Sequence, residues 1–374
     1  MSTMRWALAV ATLIALPAPG ALAQVPANIE AGLKKIGQIV DPACTAKLYR
    51  PLMPANDVNS KKTPLYKGID IARDVSFGPN AKDVVDIFSA DKRGDSRPVL
   101  IYVPGGAGNK IEQQSKDANA FYDNIMRWAT KNGMVGVNMQ RHPGQGNWDD
   151  GGKDVSLMIQ WLQANISKYK GDPERMFIWA HSAGNGPLGT YLGRPELHGS
   201  KGVGVKGAIL MSGQFNIAPL TPQGAGGRGA AALGSPSAPP GPAGSACGAA
   251  AVPGGAAGRA AGRGGAAAPP GVPAAAGGRG TVDPETLLAR SSLPELKKSE
   301  VKFFLVTAEL DPGINGSMSP FNQTLHDELC KDGPDHCPTM LFAKQESHMS
   351  EVFSIDTKDT NVSGPILEWI KKVK

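Results

Sequence analysis

Three side chains that could together perform nucleophilic catalysis occur in the order serine, acid, histidine, namely Ser182, Asp311 and His348. A serine hydroxyl is a poor nucleophile at neutral pH unless a neighbouring imidazole accepts its proton, and a carboxylate must fix the tautomer of that imidazole. This order therefore predicts attack by Ser182 on a carbonyl carbon, with His348 as the base and Asp311 as the acid that orients it.

Ser182 lies between a predicted strand, 175–180, and a predicted helix. Small residues, Ala180 and Gly184, flank it two positions away on each side, as a tight strand-to-helix turn requires. The N-terminus of the helix would place its dipole and the N–H of Ala183 near a developing oxyanion. The alternative interpretation of Ser182 is an ordinary helix N-cap.

The acid and the histidine each lie just past the carboxyl end of a predicted strand. Glu309 is an alternative acid, but Pro312 would help to hold Asp311 in a turn. The ring of His181, next to the serine, is expected to point away from the reaction partner of Ser182. The other histidines fit the role of base less well and are interpreted as surface or packing residues: His142, His181, His198, His326 and His336.

A glycine-rich loop, 104–108, follows a predicted strand over 98–103. Glycine allows the backbone to approach a substrate oxygen closely, so this loop is a candidate for a second oxyanion donor. The alternative is a plain glycine-rich turn.

The elements that must position these residues alternate between strands and helices. Strands are predicted over 84–90, 98–103, 134–139, 175–180, 207–212, 301–307 and 339–343. Helices are predicted over 118–131, 154–169, 183–193, 284–298, 319–330 and 363–373. This alternation predicts the α/β class, with a mainly parallel central sheet flanked by helices. Reactive groups in such sheets lie at the carboxyl ends of the strands.

Residues 1–23 have the order of a secretory signal, with Arg5, an apolar run over 6–16, and cleavage expected after Ala23. The protein is therefore expected to be secreted or periplasmic. The remaining residues, 24–374, are predicted to form one domain. No other segment offers about 18 consecutive apolar residues, so no membrane span is expected.

The domain is interrupted at 221–280 by a stretch of mainly Ala, Gly and Pro without any aromatic residue. Such a segment cannot bury enough apolar surface to offset its ordering entropy, and we interpret it as a disordered insertion. It could be a mobile lid over the active site or a neutral expansion of a loop. The second interpretation is favoured because insertions in surface loops cost little.

The net charge of +6 does not indicate a nucleic-acid partner. Arg5 lies in the expected signal, and residues 221–280 hold four arginines and no acid, which leaves a net charge of +1 for the remainder.

The four cysteines are compatible with disulfides in an exported protein. A bridge between Cys330 and Cys337 is favoured over a metal site that would also use His336. Cys44 could pair with Cys247, or Cys247 could stay free.

Beyond the catalytic motifs, four segments resemble one known family: 122–125 (YDNI), 132–137 (NGMVGV), 171–175 (GDPER) and 348–351 (HMSE). The chain from about residue 84, without 221–280, resembles the carboxylesterase-like α/β-hydrolases that include relatives of hormone-sensitive lipase and feruloyl esterases.

The resemblance implies an eight-stranded sheet and ester hydrolysis without a metal or organic cofactor. Matched by motif, the oxyanion donors would be Gly106, Ala107 and Ala183. Two family segments differ here: the His-Gly-Gly-Gly loop is Pro-Gly-Gly-Ala at 104–107, and the Tyr-Arg-Leu-x-Pro segment is Gln-Arg-His-Pro-Gly at 140–144.

The predicted function is hydrolysis of small-molecule carboxylic esters through an acyl-enzyme. An amidase or short-peptide hydrolase with the same triad is the alternative. A non-catalytic binding protein of the same fold is disfavoured, because all three catalytic residue types are present.

Overall fold

The computed structural model describes residues 25–53, 64–92, 94–113, 121–142, 149–218 and 284–373. The expected signal, 1–23, and the predicted insertion, 221–280, lie outside the described residues.

The described strands form one eight-stranded sheet, in the order β1-β2-β4-β3-β5-β6-β7-β8. Pairs β1–β2 and β2–β4 are antiparallel, and the pairs from β4 through β8 are parallel. The predicted mainly parallel sheet is therefore confirmed. The strands are β1 (Ile69–Ser76), β2 (Val84–Ala90), β3 (Arg97–Val103), β4 (Val135–Met139), β5 (Gly171–His181), β6 (Gly207–Met211), β7 (Lys302–Ala308) and β8 (Thr339–Ala343).

Helices of the described residues cover both faces of the sheet. They are α1 (Ala27–Ile36), α2 (Pro42–Tyr49), α3 (Asp123–Lys131), α4 (Asp150–Asn165), α5 (Asn185–Leu192), α6 (Pro284–Ala289), α7 (Leu293–Leu296), α8 (Pro320–Cys330), α9 (Ser350–Phe353) and α10 (Ser363–Lys372). The helix predicted over 118–131 begins only at Asp123, and the single helix predicted over 284–298 is divided into α6 and α7.

The core consists of two apolar layers, one on each face of the sheet. On β5, for example, Ile178 packs into one layer and Trp179 into the other, and neither side chain is exposed to solvent. Helices α1, α2, α3 and α10 cover the layer of Trp179, whereas α4, α5 and α8 cover that of Ile178. Burial on both faces explains why the central strands are continuous apolar runs in the sequence.

The predicted bridge between Cys330 and Cys337 is present. It joins the end of α8 to the segment before β8 and excludes the alternative metal site, because a disulfide offers no thiolate. Cys44 is also disulfide-bonded, and Cys247 lies outside the described residues.

Candidate active site

Ser182 directly follows β5 and occupies a left-handed backbone conformation, with φ of 53°. Such a conformation costs a residue other than glycine about 1–3 kcal/mol, so the surrounding contacts must hold it. One of these contacts is made by the side chain of Asn185, whose Nδ2 donates to the backbone oxygens of Ser182 and Met211, each at 2.9 Å. The turn thus presents the hydroxyl at the carboxyl edge of the sheet.

Two glycines allow the loop after β3 to pack against this turn. A Cβ atom at Gly184 would lie 2.4 Å from the backbone oxygen of Val103, and one at Gly105 would lie 2.7 Å from Cβ of Ser182. Larger residues at either position would therefore separate the loop from the turn.

A continuous chain of hydrogen bonds connects Ser182, His348 and Asp311. Nε2 of His348 lies 2.9 Å from Oγ of Ser182, and Nδ1 lies 2.7 Å from Oδ1 of Asp311. A carboxylate can only accept, so Nδ1 carries the hydrogen and Nε2 is free to take the proton of the hydroxyl. The hydroxyl of Ser182 points to Nε2 of His348, and the N-cap of the helical segment that begins at Ser182 is His181.

Glu309, the alternative acid, lies on the same loop but has another partner. Its Oε2 accepts a hydrogen bond from the backbone nitrogen of Gln345 at 2.6 Å. Asp311 instead sits in a turn closed by its own backbone, with its nitrogen bonded to Ala308 and its oxygen to Ile314. The carboxylate beside His348 is therefore that of Asp311.

The three residues matched to oxyanion donors, Gly106, Ala107 and Ala183, are exposed around the same turn. Gly106 has a φ of 50°, which glycine adopts without strain, and the loop closes through a hydrogen bond from Gly108 to Gly105 of 2.8 Å. The loop backbone beside Ser182 is the part of the structure that could stabilise an oxyanion.

Arg141 anchors this loop, a role that we did not predict from the sequence. Its guanidinium donates to the backbone oxygens of Pro104, Gly105 and Gly106, at 2.5, 3.3 and 3.0 Å. Its own backbone nitrogen donates to the oxygen of Gly108 at 2.8 Å. Burial lowers the pKa of Arg141 to about 10, so that it remains a cation at neutral pH.

The expectation that the ring of His181 points away from His348 is wrong. The two rings are in contact, with centroids 4.7 Å apart, and Nε2 of His181 lies 2.9 Å from the backbone oxygen of His348. The reason is that β5 ends at His181 with the side chain buried against the loop that carries His348.

A second buried acidic group, Glu346, lies below the same loop. The hydroxyl of Ser350 donates to Glu346, and that of Tyr49 donates to the neighbouring Asp359 at 2.9 Å. Burial, and next the negative charge of Asp359, raises the pKa of Glu346 to about 8. Glu346 therefore favours its protonated form at neutral pH, and it lies between Ser350, on the loop of His348, and the hydroxyl of Tyr49 on α2.

This raised pKa predicts that the fold loses stability as the pH rises. The folded state keeps the proton of Glu346 up to about pH 8, whereas the unfolded chain releases it near the ordinary value of 4.5. The contribution of protonated Glu346 to the free energy of unfolding is thus complete below its ordinary pKa of 4.5. It is lost as the pH rises through its pKa in the folded protein, about 8. We expect the melting temperature of Glu346→Gln, relative to that of the wild type, to rise as the pH is increased from 5 to 9.

The matched control is Glu368→Gln on the exposed face of α10. Lys371 lowers the pKa of Glu368, so this residue is ionised in both states throughout the range. The melting temperature of Glu368→Gln should therefore differ from that of the wild type by the same amount at every pH. If the difference for Glu346→Gln were equally constant, the raised pKa assigned to Glu346 would be wrong.

Three groups of His, Cys and acidic residues within the described part of the chain lie close enough to share a metal ion: His181–His348–Glu351, His326–Cys330–Cys337 and Asp83–His142–Asp154. In the first, both ring nitrogens of His348 face Ser182 and Asp311, and in the second the cysteines form a disulfide. In the third, the two ring nitrogens of His142 face different carboxylates, each at 3.5 Å. This arrangement is that of a histidine bridging two acids.

Comparison with known proteins agrees with this architecture. Residues 85–194, which include Ser182 and the loop after β3, match the BD-FAE family model. The probable carboxylic ester hydrolase LipM of Mycobacterium tuberculosis is 33% identical over 119 residues, or 30% of this chain and 26% of LipM. The match thus spans about a quarter of the length of this relative.

Two solved structures are similar over nearly the whole chain. Esterase B from Lactobacillus rhamnosis covers 93% of this chain and 96% of its own, with a TM-score of 0.52 and 13% identity. Carboxyl esterase 2 from Tuber melanosporum covers 94% and 99%, with a TM-score of 0.52 and 14% identity. In the described part of the chain, no helix has the length and apolar character needed to cross a membrane. The fold predicted from the sequence is confirmed: the chain has the α/β-hydrolase fold and is similar in structure to these two esterases.

Proposed function

We propose that this protein is a serine carboxylesterase that cleaves small-molecule esters through an acyl-enzyme. The observation that carries the proposal is the hydrogen-bonded chain from Ser182 through His348 to Asp311 at the carboxyl edge of the sheet. The esterases among its relatives and structural neighbours support an ester substrate.

In the first half of the reaction, Oγ of Ser182 attacks the ester carbonyl while Nε2 of His348 takes the hydroxyl proton. Backbone N–H groups of Gly106, Ala107 and Ala183 stabilise the oxyanion. The tetrahedral intermediate breaks its bond to the alcohol, which leaves with the proton from His348. In the second half, His348 takes a proton from water while the water oxygen bonds to the acyl carbon. The tetrahedral intermediate then breaks its bond to Oγ of Ser182, which recovers the proton from His348, and the carboxylic acid leaves.

A panel of p-nitrophenyl esters of increasing acyl length, beside p-nitroanilides with the same acyl groups, tests the proposal. We expect turnover of the esters, with one range of acyl lengths preferred, and much slower turnover of the anilides. Preferential cleavage of the anilides would make the protein an amidase with the same residues. Absence of turnover for both would contradict hydrolysis.

Replacing Arg141 by lysine should reduce kcat/KM for these esters by about ten- to hundredfold, because small displacements in an active site have effects of this size. Lysine keeps the charge but lacks the fork of donors that reaches three carbonyl groups. The control is Arg175→Lys, an exposed arginine that pairs with Asp172 near the start of β5. Equal rates for both variants would show that Arg141 does not support the oxyanion loop.

We further propose that the protein is exported, with cleavage after Ala23. The order of residues in 1–23 supports this, as do the disulfides of Cys44 and of Cys330 with Cys337, since disulfides persist in oxidising compartments. In a bacterial host, protein recovered outside the cytoplasm should begin at Gln24. Recovery of the uncleaved chain from the cytoplasm alone would contradict export.

A further inference from the structure

A second histidine–carboxylate pair, His181 and Glu351, lies directly behind the ring of His348. Nε2 of His181 lies 2.9 Å from the backbone oxygen of His348 and 3.1 Å from Oε1 of Glu351. His181 is 1% exposed and Glu351 is 0% exposed, so water cannot replace these contacts. The pair therefore connects the end of β5 to the backbone of His348.

The contacts of His181 determine its tautomer. A backbone oxygen can only accept a hydrogen bond, so Nε2 must carry a hydrogen. Its other ring nitrogen, Nδ1, is buried and has no hydrogen-bond partner among the described residues. Protonation there would bury an unsatisfied N–H beside Gly105, and burial together with the proximity of His348 lowers the pKa of His181 well below its ordinary value. His181 is thus a neutral donor.

The surroundings of Glu351 favour its protonated form. Burial, and next the negative charge of Asp311, raises its pKa well above its ordinary value. The hydroxyl of Ser212, which can donate or accept, lies 2.9 Å from Oε2 of Glu351. Oε1 of Glu351 lies 3.1 Å from Nε2 of His181, whose N–H donates to the backbone oxygen of His348. The titratable groups that face Glu351 from the surrounding elements are His181, His348, Asp311, Glu346 and Tyr102.

We propose that His181 and Glu351 are positioning residues, which fix the backbone of His348 and hold its imidazole between Ser182 and Asp311. Because both members stay uncharged, they add no second negative charge beside His348. A second anion would hold the protonated imidazole more tightly and make it a poorer acid towards the leaving alcohol. This inference rests on the proposed esterase function.

Two substitutions at His181 separate the hydrogen bond from the packing. His181→Phe keeps a ring but removes the donor to the oxygen of His348, and kcat should fall by about ten- to hundredfold with KM little changed. His181→Gln keeps an N–H near the position of Nε2 and should restore most of that loss. Rates are normalised to the sites that a fluorophosphonate labels, so unfolded protein does not count.

The control is His198→Phe, because Nε2 of His198 also lies 2.9 Å from a backbone oxygen, that of Tyr191, and its ring also contacts an aromatic ring. His198 takes no part in the hydrogen-bonded chain of Ser182, His348 and Asp311. We expect kcat to be unaltered in His198→Phe and reduced in His181→Phe. Equal kcat values for wild type, His181→Phe and His181→Gln would overturn the proposal.

Substitutions at Glu351 test the uncharged state. Glu351→Ala removes the acceptor of the Ser212 hydroxyl and the side chain that lies beside Nε2 of His181, and it should lower kcat about tenfold or more. Glu351→Gln should restore most of that loss. The acid limb of the kcat/KM profile, which reports the base of the free enzyme, should stay at the same pH in Glu351→Gln. If that limb moves to lower pH by about one unit, Glu351 acts as an anion and the proposed pair is wrong.

The wild type distinguishes failure of this inference from failure of the proposed function. If it neither cleaves p-nitrophenyl esters nor reacts with a fluorophosphonate at Ser182, the esterase proposal has failed. If it does both, while the His181 and Glu351 variants match it in kcat and pH profile, the esterase proposal stands and the positioning role is wrong.

Discussion

Ser182→Ala is expected to lose roughly three to six orders of magnitude in turnover, with its fold retained. The variant lacks the oxygen that attacks the carbonyl carbon, and Nε2 of His348 has no hydroxyl proton to accept at 2.9 Å. The left-handed conformation at this position costs alanine about as much as serine, so the substitution should leave the backbone of the turn almost unchanged. The rate is measured on the best p-nitrophenyl ester.

A fluorophosphonate should label the wild type at Ser182 alone, and the variant should remain unlabelled. Ser167→Ala serves as the control, because Ser167 is exposed on the segment that precedes β5. His348→Ala should lose a similar amount, and the double variant should be little worse, since the two residues act as a unit. Labelling at another serine, or full turnover in Ser182→Ala, would refute the assignment.

The part of the fold that could be predicted from the sequence is the part buried on both faces. Strands β3, β6 and β7, and β5 from Met176 onward, are mainly apolar because helices cover each side of them. Once those strands are parallel, their carboxyl ends meet at one edge. The residues just past β5, β7 and the next parallel strand, β8, then become neighbours, as Ser182, Asp311 and His348 do in the structure.

Strand β1 could not be predicted in this way. It lies at the edge of the sheet, its residues are half-buried or exposed, and Asp70, Arg73 and Asp74 interrupt its apolar character. Its conformation depends on pairing with β2, which includes an irregularity between Ala72 and Val75. Helices α1 and α2 were also not predicted. Their apolar residues are buried only by packing against the layer that contains Trp179, a contact that the local sequence does not show.

Two supports of the candidate site were missed for a related reason. Arg141 follows β4 and His181 ends β5, so both are polar side chains at the carboxyl ends of buried strands. A polar residue at the carboxyl end of a buried strand is therefore a sequence signal that the residue lies near a functional site. Their partners, however, lie far away in the sequence, 167 residues in the case of His181 and His348. A local pattern cannot show such contacts, and only the folded chain determines them.

Asp311→Asn is expected to lower turnover by about four orders of magnitude while the protein remains folded. The carboxylate accepts the hydrogen of Nδ1 at 2.7 Å and so leaves Nε2 of His348 unprotonated towards Ser182. An amide has nearly the same shape, but its NH2 group would donate to Nδ1. This stabilises the other tautomer, in which Nε2 carries the hydrogen and cannot act as a base. The amide also fails to balance the charge of the imidazolium that forms during attack.

Glu309→Gln is the matched comparison, because both acids lie on the loop after β7. The oxygen of glutamine can still accept the backbone N–H of Gln345, which Glu309 accepts at 2.6 Å. We therefore expect a change of less than about threefold in kcat. Turnover on one p-nitrophenyl ester, with melting temperature as the test of folding, ranks the two variants. If Glu309→Gln proved the more damaging, the orienting carboxylate would be Glu309, and the loop would have to rearrange during the reaction to bring it to His348.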